Sequence, residues 1–401
     1  MPHDQRKNLL ILSFTLVVVM LGYGIVMPIM PFYIEKLGAG GSELGMLVAI
    51  SALMQLFFAP LWGSLSDRVG RKPVLLVGVL GYGLTMLLFG LATHLWTLFV
   101  ARALNGILSS ATLPTAMAYV GDNTDEKKRA AGMGQLGAAM GAGVVLGPGI
   151  GGVLAGVTLA TPFLVASGMC LVALLLIALL LPESLPAGSR QPVLASRNKF
   201  EFGWLRQILL GPLGILMLLS LVVSFGMSSF QGILGLYALD KFGFDTLQIG
   251  WMWMLVGGVM VFSQGALTGV LIRRWGEVAV IRLSLAATAV GFLLMLQAAA
   301  YLSLLLATGF LVLAIALLGP ALNSLISSRT RLGQGITMGL ANSSTSLGRV
   351  LGPVWAGAIF DLNMSYPFLS GAVILLVGFL ISLAGISQSR PSGVPAGPTV
   401  S

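Results

Sequence analysis

The feature that most constrains this chain is a succession of apolar stretches, each about 20 residues long. That is the length at which a helix crosses the hydrocarbon core of a bilayer. The stretches run over 9–31, 44–66, 73–93, 95–120, 129–156 and 161–181 in the first half. They resume over 207–236, 247–272, 278–298, 300–326, 333–358 and 366–387 in the second. Only 9% of the 401 residues are charged, whereas soluble domains carry about a quarter. So little charge cannot cover a water-exposed surface, and lipid must be the solvent for most of the chain. The first apolar run is too long for a signal-peptide core, lacks a small-residue cleavage site and reads as a first helix.

The spans leave connections of only a few residues, with one exception. Residues 182–206 (PESLPAGSRQPVLASRNKFEFGWLR) are Pro/Ser-rich and basic and read as a linker. It would divide an N-terminal six-helix bundle (1–181) from a C-terminal one (207–387), and 388–401 reads as a disordered tail. The expected fold class is therefore all-α, with twelve transmembrane helices.

A net charge of +9 is of the sign that nucleic-acid binding needs, but the positions of the charges argue otherwise. Of the 22 Lys and Arg, all but Lys36, Lys241, Arg102 and Arg349 fall on one face of the proposed topology. Loops rich in Lys and Arg stay in the cytoplasm. Both termini and the linker are thus expected there, with the basic residues serving as topology determinants. The single cysteine, Cys170, lies in an apolar run, so neither a disulfide framework nor a Cys-based metal site is expected.

The two halves repeat. GSLSDRVGR (63–71) aligns with GVLIRRWGE (269–277), and Pro114 aligns with Pro320 at the same offset. VLGPGIGG (145–152) aligns with VLGPVWAG (350–357), and EKLG (35–38) with DKFG (240–243). Duplicated bundles of this kind place a substrate site near the midplane between halves, with transport by rocking.

Three motifs carry chemistry. In the loop 63–72, Gly63 and Gly70 permit close approach and a tight turn. Asp67 can pair with Arg or sit at a helix N-terminus, while Arg68, Arg71 and Lys72 anchor the inner face. Arg102 lies inside span four, where a charge is costly enough to seek protein or water; a snorkelling Arg near the outer end is the plainer reading. Span five carries Gly143, Gly147, Pro148, Gly151 and Gly152. Small residues at this density allow close helix packing, and Pro148 bends the span.

The loop closely resembles the signature loop of the major facilitator superfamily. Over 9–387 the chain is similar to the twelve-helix drug:proton antiporter branch, which holds the NorA/Bmr-type multidrug and tetracycline exporters. The resemblance implies a conformational latch in which Asp67 is the latch acid and Arg71 pairs with Asp122. It links Arg102 to proton or substrate handling. It makes GPxxGG in span five the motif of exporters that exchange substrate against protons. It lines the pathway with spans one, four, seven and ten, nominating Tyr23, Met27, Met30, Asn105, Met117, Phe225, Met227, Gln231, Tyr237 and Asn323.

The chain departs from that branch in its acids. Every one of its 13 Asp and Glu falls in a loop or at a span end. The span-seven acid position carries Gln231, and the span-one region around Gly24 is neutral. Coupling would fall to end groups such as Glu35, Asp67, Asp122 or Asp361, or to changes in Arg pairing. Arg102 and Arg349 are the only charges inside spans, and they favour neutral, zwitterionic or anionic cargo.

The leading expectation is a monomeric, proton-driven exporter of amphipathic drug-like molecules in a bacterial inner membrane. It would have no cofactor, no metal and no nucleic-acid partner. No GxxxxGK[ST] loop is present to support ATP drive. The alternatives are an exporter or flippase of an endogenous siderophore, lipid or sugar derivative, and a non-transporting receptor. An intramembrane enzyme is disfavoured, because no nucleophile dyad or His/Glu cluster lies in the spans.

Overall fold

The computed structural model describes residues 3–124, 126–185, 212–330 and 334–386, and within them regular structure is entirely helical. The first bundle comprises α1 (His3–Lys36), α2 (Gly41–Val69), α3 (Arg71–Gly90), α4 (Leu95–Ser109), α5 (Thr112–Asn123), α6 (Glu126–Ala155) and α7 (Thr161–Leu180). The second comprises α8 (Pro212–Phe242), α9 (Thr246–Phe262), α10 (Thr268–Trp275), α11 (Glu277–Gln297), α12 (Tyr301–Ala316), α13 (Leu318–Arg329), α14 (Gln334–Phe360) and α15 (Tyr366–Gly385). Helices α4 and α5 form one broken crossing, as do α12 and α13. A π-helical turn, Ser263–Leu267, joins α9 to α10 within another. The result is twelve crossings in two six-helix bundles.

Ten crossings are long and apolar enough to be recognised as membrane spans by composition alone. The other two have physical reasons for falling short. The α4–α5 crossing is interrupted at 110–111. The α14 crossing carries Asn342, Ser343, Ser344, Thr345, Ser346 and Arg349 in succession. Several helices outrun their apolar windows, α1 to Lys36 and α8 to Phe242, because helix continues beyond the stretch that must be apolar. Past Leu185 the expected linker lies outside the described residues, and so does the expected tail.

Glycine contacts hold the crossings together, and they repeat between halves. In α6, a Cβ on Gly143 would lie 2.7 Å from the Val17 carbonyl oxygen, and one on Gly147 would lie 2.5 Å from that of Leu21. In α14, the equivalents Gly348 and Gly352 would meet the carbonyls of Leu221 and Phe225 at 2.7 and 2.5 Å. So α1 nests on α6 as α8 nests on α14. Small residues are what let backbones come this close.

Two seams join the bundles. Where α2 meets α14, a Cβ on Gly45 would come within 2.1 Å of the Pro353 carbonyl oxygen, and one on Gly357 as near to that of Gly41. Where α9 meets α6, Gly250 stands 2.7 Å from the Pro148 carbonyl oxygen by the same measure, and Gly152 2.5 Å from that of Thr246. Both seams lie at the end of the molecule that carries the 37–40 and 243–245 connections. At the opposite end, which carries the N-terminus, Cβ atoms built on Gly63, Gly134, Gly137, Gly265 and Gly339 would meet nothing within 4 Å. The bundles are thus sealed at one end, while these described glycines at the other face open space.

Candidate functional site

The α2–α3 loop is built around Gly70, whose φ of +109° with ψ of 161° lies in a region essentially restricted to glycine. The turn folds Arg71 back over the end of α2. There Arg71 is buried at 8% exposure, with Nη1 on Asp67 at 2.5 Å and Nε on Asp122 at 3.0 Å. Nη1 also donates to Ser66 Oγ at 2.7 Å. Glu183, beyond α7, accepts from the Arg71 and Lys72 backbone N–H groups at 2.8 and 3.1 Å, capping α3. Lys72 Nζ donates to the Ala178 carbonyl at 2.8 Å. These partners belong to the first bundle or to the chain just after it, so the group is assembled without crossing to the second.

The repeat copies the turn and not its charges. Gly276, equivalent to Gly70, also has positive φ at +79°. Glu277 stands where Arg71 does and accepts from Ser324 Oγ at 3.1 Å.

At the sealed end Asp361, just past α14, reaches across the seam to cap α2. Its Oδ1 accepts from Gly41 N–H at 2.7 Å, and its Oδ2 accepts from Ser42 N–H at 2.9 Å and from the Ser42 hydroxyl. Glu35 and Asp240, equivalent positions of the repeat, line a cavity of about 410 Å³ together with Asp361. The α9–α6 seam has a neutral bond instead, Thr246 Oγ1 donating to the Gly152 carbonyl at 3.1 Å.

The two intramembrane arginines occupy different settings. Arg102 is 2% exposed and therefore does not snorkel. Its Nε and Nη2 have no hydrogen-bond partner, and its guanidinium lies 5.9 Å from the centre of the Phe89 ring. Arg349 is exposed. At 100° per residue it lies between the α8-facing Gly348 and Gly352 and the α2-facing Pro353 and Gly357. That is opposite the outward arc of Leu347, Leu351 and Val354. Arg349 thus faces the parted interior, and no contact joins it to Arg102 among the described residues.

Of the nominated pathway residues, Tyr23, Met117 and Asn323 are exposed, while Met27, Phe225, Met227 and Gln231 are half-buried. Met30, Asn105 and Tyr237 differ from expectation: they sit on the right helices but on packed faces. Met30 is 1% exposed. Asn105 Nδ2 donates to Thr85 Oγ1 at 3.1 Å. Tyr237 donates to the Met295 carbonyl at 3.0 Å and accepts from Lys241 at 2.7 Å. Gly143, Gly147 and Gly151 face α1, and Gly152 faces α9. Asp240, Glu183 and the seam glycines Gly41, Gly45, Gly250 and Gly357 were not singled out from sequence. The repeat offset that pairs Glu35 with Asp240 and Gly45 with Gly250 is the signal that points to them.

Comparison with known proteins agrees with this architecture. The chain is 33% identical over 382 residues to Multidrug resistance protein 2 of Bacillus subtilis, covering 95% of this chain and 96% of that protein. It is 28% identical over 387 residues to the quinolone resistance protein NorA of Staphylococcus aureus, covering 94% and 96%. In fold it superposes on the nucleoside transporter NupG with a TM-score of 0.80 at 13% identity, covering 95% of this chain and all of that one. The human organic anion transporter MFSD10 superposes with a TM-score of 0.66 at 24% identity, again over 95% of this chain. Residues 12–334 match the family model of the Major Facilitator Superfamily, and with twelve crossings, duplicated bundles and two glycine-lined seams, the chain belongs to that superfamily.

Proposed function

We propose that this protein is a bacterial inner-membrane exporter of amphipathic, drug-like small molecules, working by alternating access in exchange for protons. It is a transporter and not an enzyme. The relatives that match nearly its whole length bear multidrug and quinolone resistance names, which supports export as the direction. The observation that carries the mechanism is the one-sided seal: glycine seams close one end, while at the other the described glycines face open space and the Asp67–Arg71–Asp122 ion pairs stay within the first bundle.

With both termini in the cytoplasm, as the basic loops favour, the sealed end faces outward and the cavity opens inward, ready to load cargo. Tyr23, Met27, Met117, Phe225, Met227, Gln231 and Asn323 would then line the loading face, where aromatic and Met side chains suit adaptable apolar binding. The Asp67–Arg71–Asp122 group stands released and would engage the second bundle when the inner end closes. Protons would be carried by helix-end carboxylates, Glu35, Asp240 and Asp361 outside and Asp67 and Asp122 inside. The protein works as a monomer, without a cofactor or nucleic-acid partner.

Reconstitution with an entrapped pH-sensitive dye tests this reading. A cationic or neutral drug that discharges an imposed proton gradient establishes antiport. Drug flux that ignores the gradient removes the coupling, and absence of any drug flux removes the export reading. Export of an endogenous anionic metabolite is the second reading, favoured by the exposed, unpaired Arg349.

A further inference from the structure

We propose that Arg349 makes this transporter select cargo bearing a carboxylate or another compact anionic group, because the cargo must supply the counter-charge that the protein lacks. The inference rests on the alternating-access reading above and names the substrate class of the same cavity.

Four observations lead there. First, Arg349 has no hydrogen-bond or ion-pair partner among the described residues, and its side chain is exposed on the inward arc of α14. Second, no acid can reach it. Asp361, the nearest acid along its own helix, is about 18 Å away at 1.5 Å per residue. Every other described carboxylate lies within the first or last turn of a helix or in a connection. Rocking of rigid bundles changes which end is open and does not carry an end carboxylate to mid-span depth. Third, the fold does not require a cation at this place. The repeat puts Val144 where the second bundle has Arg349, and the flanking glycine contacts of Gly143 and Gly348 are equivalent in both. Fourth, the inward stripe on α14 is polar over two turns. Asn342, Ser346 and Arg349 fall at helical spacing where the first bundle has Gly137, Gly141 and Val144.

The physical step is occlusion. In the inward-open state Arg349 is hydrated and its charge costs little. Between the two open states the cavity must close around its contents, and the guanidinium loses that water. A buried, unpaired guanidinium is strongly unfavourable. An empty cavity, or one holding a cation, therefore resists closing. Cargo that presents a carboxylate gives the guanidinium a bidentate partner, with Ser346 and Asn342 one and two turns along the same face as further hydrogen-bonding groups. Arg349 thus couples closure to anionic cargo and acts as a specificity residue.

The test uses three probes that share one fluorophore and differ in charge. They are dansyl-aminohexanoate (anion), its N-methylamide (neutral) and dansyl-cadaverine (cation). Flux of each is measured in proteoliposomes holding the full chain, alongside ethidium as an unrelated cationic cargo. The wild type is expected to move the carboxylate faster than its amide. Arg349→Gln should lower carboxylate flux by roughly tenfold or more, as expected for losing a charged hydrogen-bond partner. It should leave the amide unchanged or faster, and Arg349→Lys should recover part of the carboxylate flux. An equal loss for all three probes in Arg349→Gln overturns the inference, as does preferred transport of the cation independent of Arg349. Ethidium flux without any carboxylate flux overturns it while leaving the exporter reading intact. No flux of any probe, from wild-type protein with an unchanged melting profile, removes the exporter reading and this inference with it.

Discussion

Removing the Asp361 carboxylate should tip the transporter toward the state in which its sealed end opens. In the structure, where the bundles meet at this end, the group accepts two backbone N–H bonds at 2.7 and 2.9 Å and the Ser42 hydroxyl, all across the α2–α14 seam. Loss of an N-terminal cap costs about 0.5–2 kcal/mol, and hydrogen bonds to charged groups contribute about 1.5–3 kcal/mol each. Asp361 is exposed, so water competes and the low end applies, about 1–2 kcal/mol in all. That energy is lost only when the seam is closed, because the open state has already broken these bonds. The ratio of molecules open at this end to molecules sealed at it should therefore rise about 5- to 30-fold in Asp361→Ala. Asp361→Asn, which keeps one acceptor oxygen, should fall between. Spin labels at Leu91→Cys and Leu302→Cys report the separation: both sites are exposed, at 63% and 67%, on opposite bundles at the sealed end. The background carries Cys170→Ala. A longer-distance population that grows in the order wild type, Asn, Ala supports the reasoning. Identical distance distributions in all three, with unchanged melting temperatures, would refute it.

Further substitutions probe the same frame. Gly45→Ala should open the sealed end more than Gly250→Ala, since the added Cβ would meet a backbone carbonyl oxygen at 2.1 rather than 2.7 Å; the same spin-label pair reads both. Gly70→Ala should lower the melting temperature through about 1–3 kcal/mol of backbone strain, and Gly276→Ala should do the same, because both loops depend on positive φ. Gly63→Ala should leave stability within about 0.5 kcal/mol, having nothing within 4 Å. It should nonetheless slow turnover if the latch packs on the other bundle when the inner end closes, as transport assays will read.

The fold was largely legible because the bilayer imposes a simple code: span length, scarce charge and an excess of Lys and Arg on one face. Duplication added a second, independent register, so that twelve spans and two bundles could be read together. The Arg71–Asp122 pair was expected only from the family resemblance of the 63–72 loop, and the structure sets the two side chains 3.0 Å apart. Side-chain facing was harder. Met30, Asn105 and Tyr237 lie on expected helices but on packed faces. A nearly uniformly apolar helix has little polar–apolar contrast to say which side meets protein and which meets lipid or cavity. Arg102 showed the same ambiguity, and only burial separated an enclosed guanidinium from a snorkelling one. The two seams were missed because their determinants are glycines and backbone carbonyls, whose importance appears only when two distant helices are placed together.

The repeat explains the packing of the two seams and leaves their chemistry unequal. Gly45 and Gly250 are equivalent, as are Gly357 and Gly152, and each pair brings backbone against backbone. Yet the α2–α14 seam is clasped by a carboxylate on a helix N-terminus, and the α9–α6 seam by one neutral hydroxyl bond. Charge-assisted bonds are roughly twice as strong as neutral ones. The α9–α6 seam should therefore yield first, with the α2–α14 seam as the pivot until Asp361 lets go. The intramembrane cations are distributed as unequally, Arg102 enclosed in the first bundle and Arg349 facing the cavity from the second. Two bundles made from one ancestral packing scheme thus divide the work: shared glycines define where they touch, and unshared charges decide what opens them.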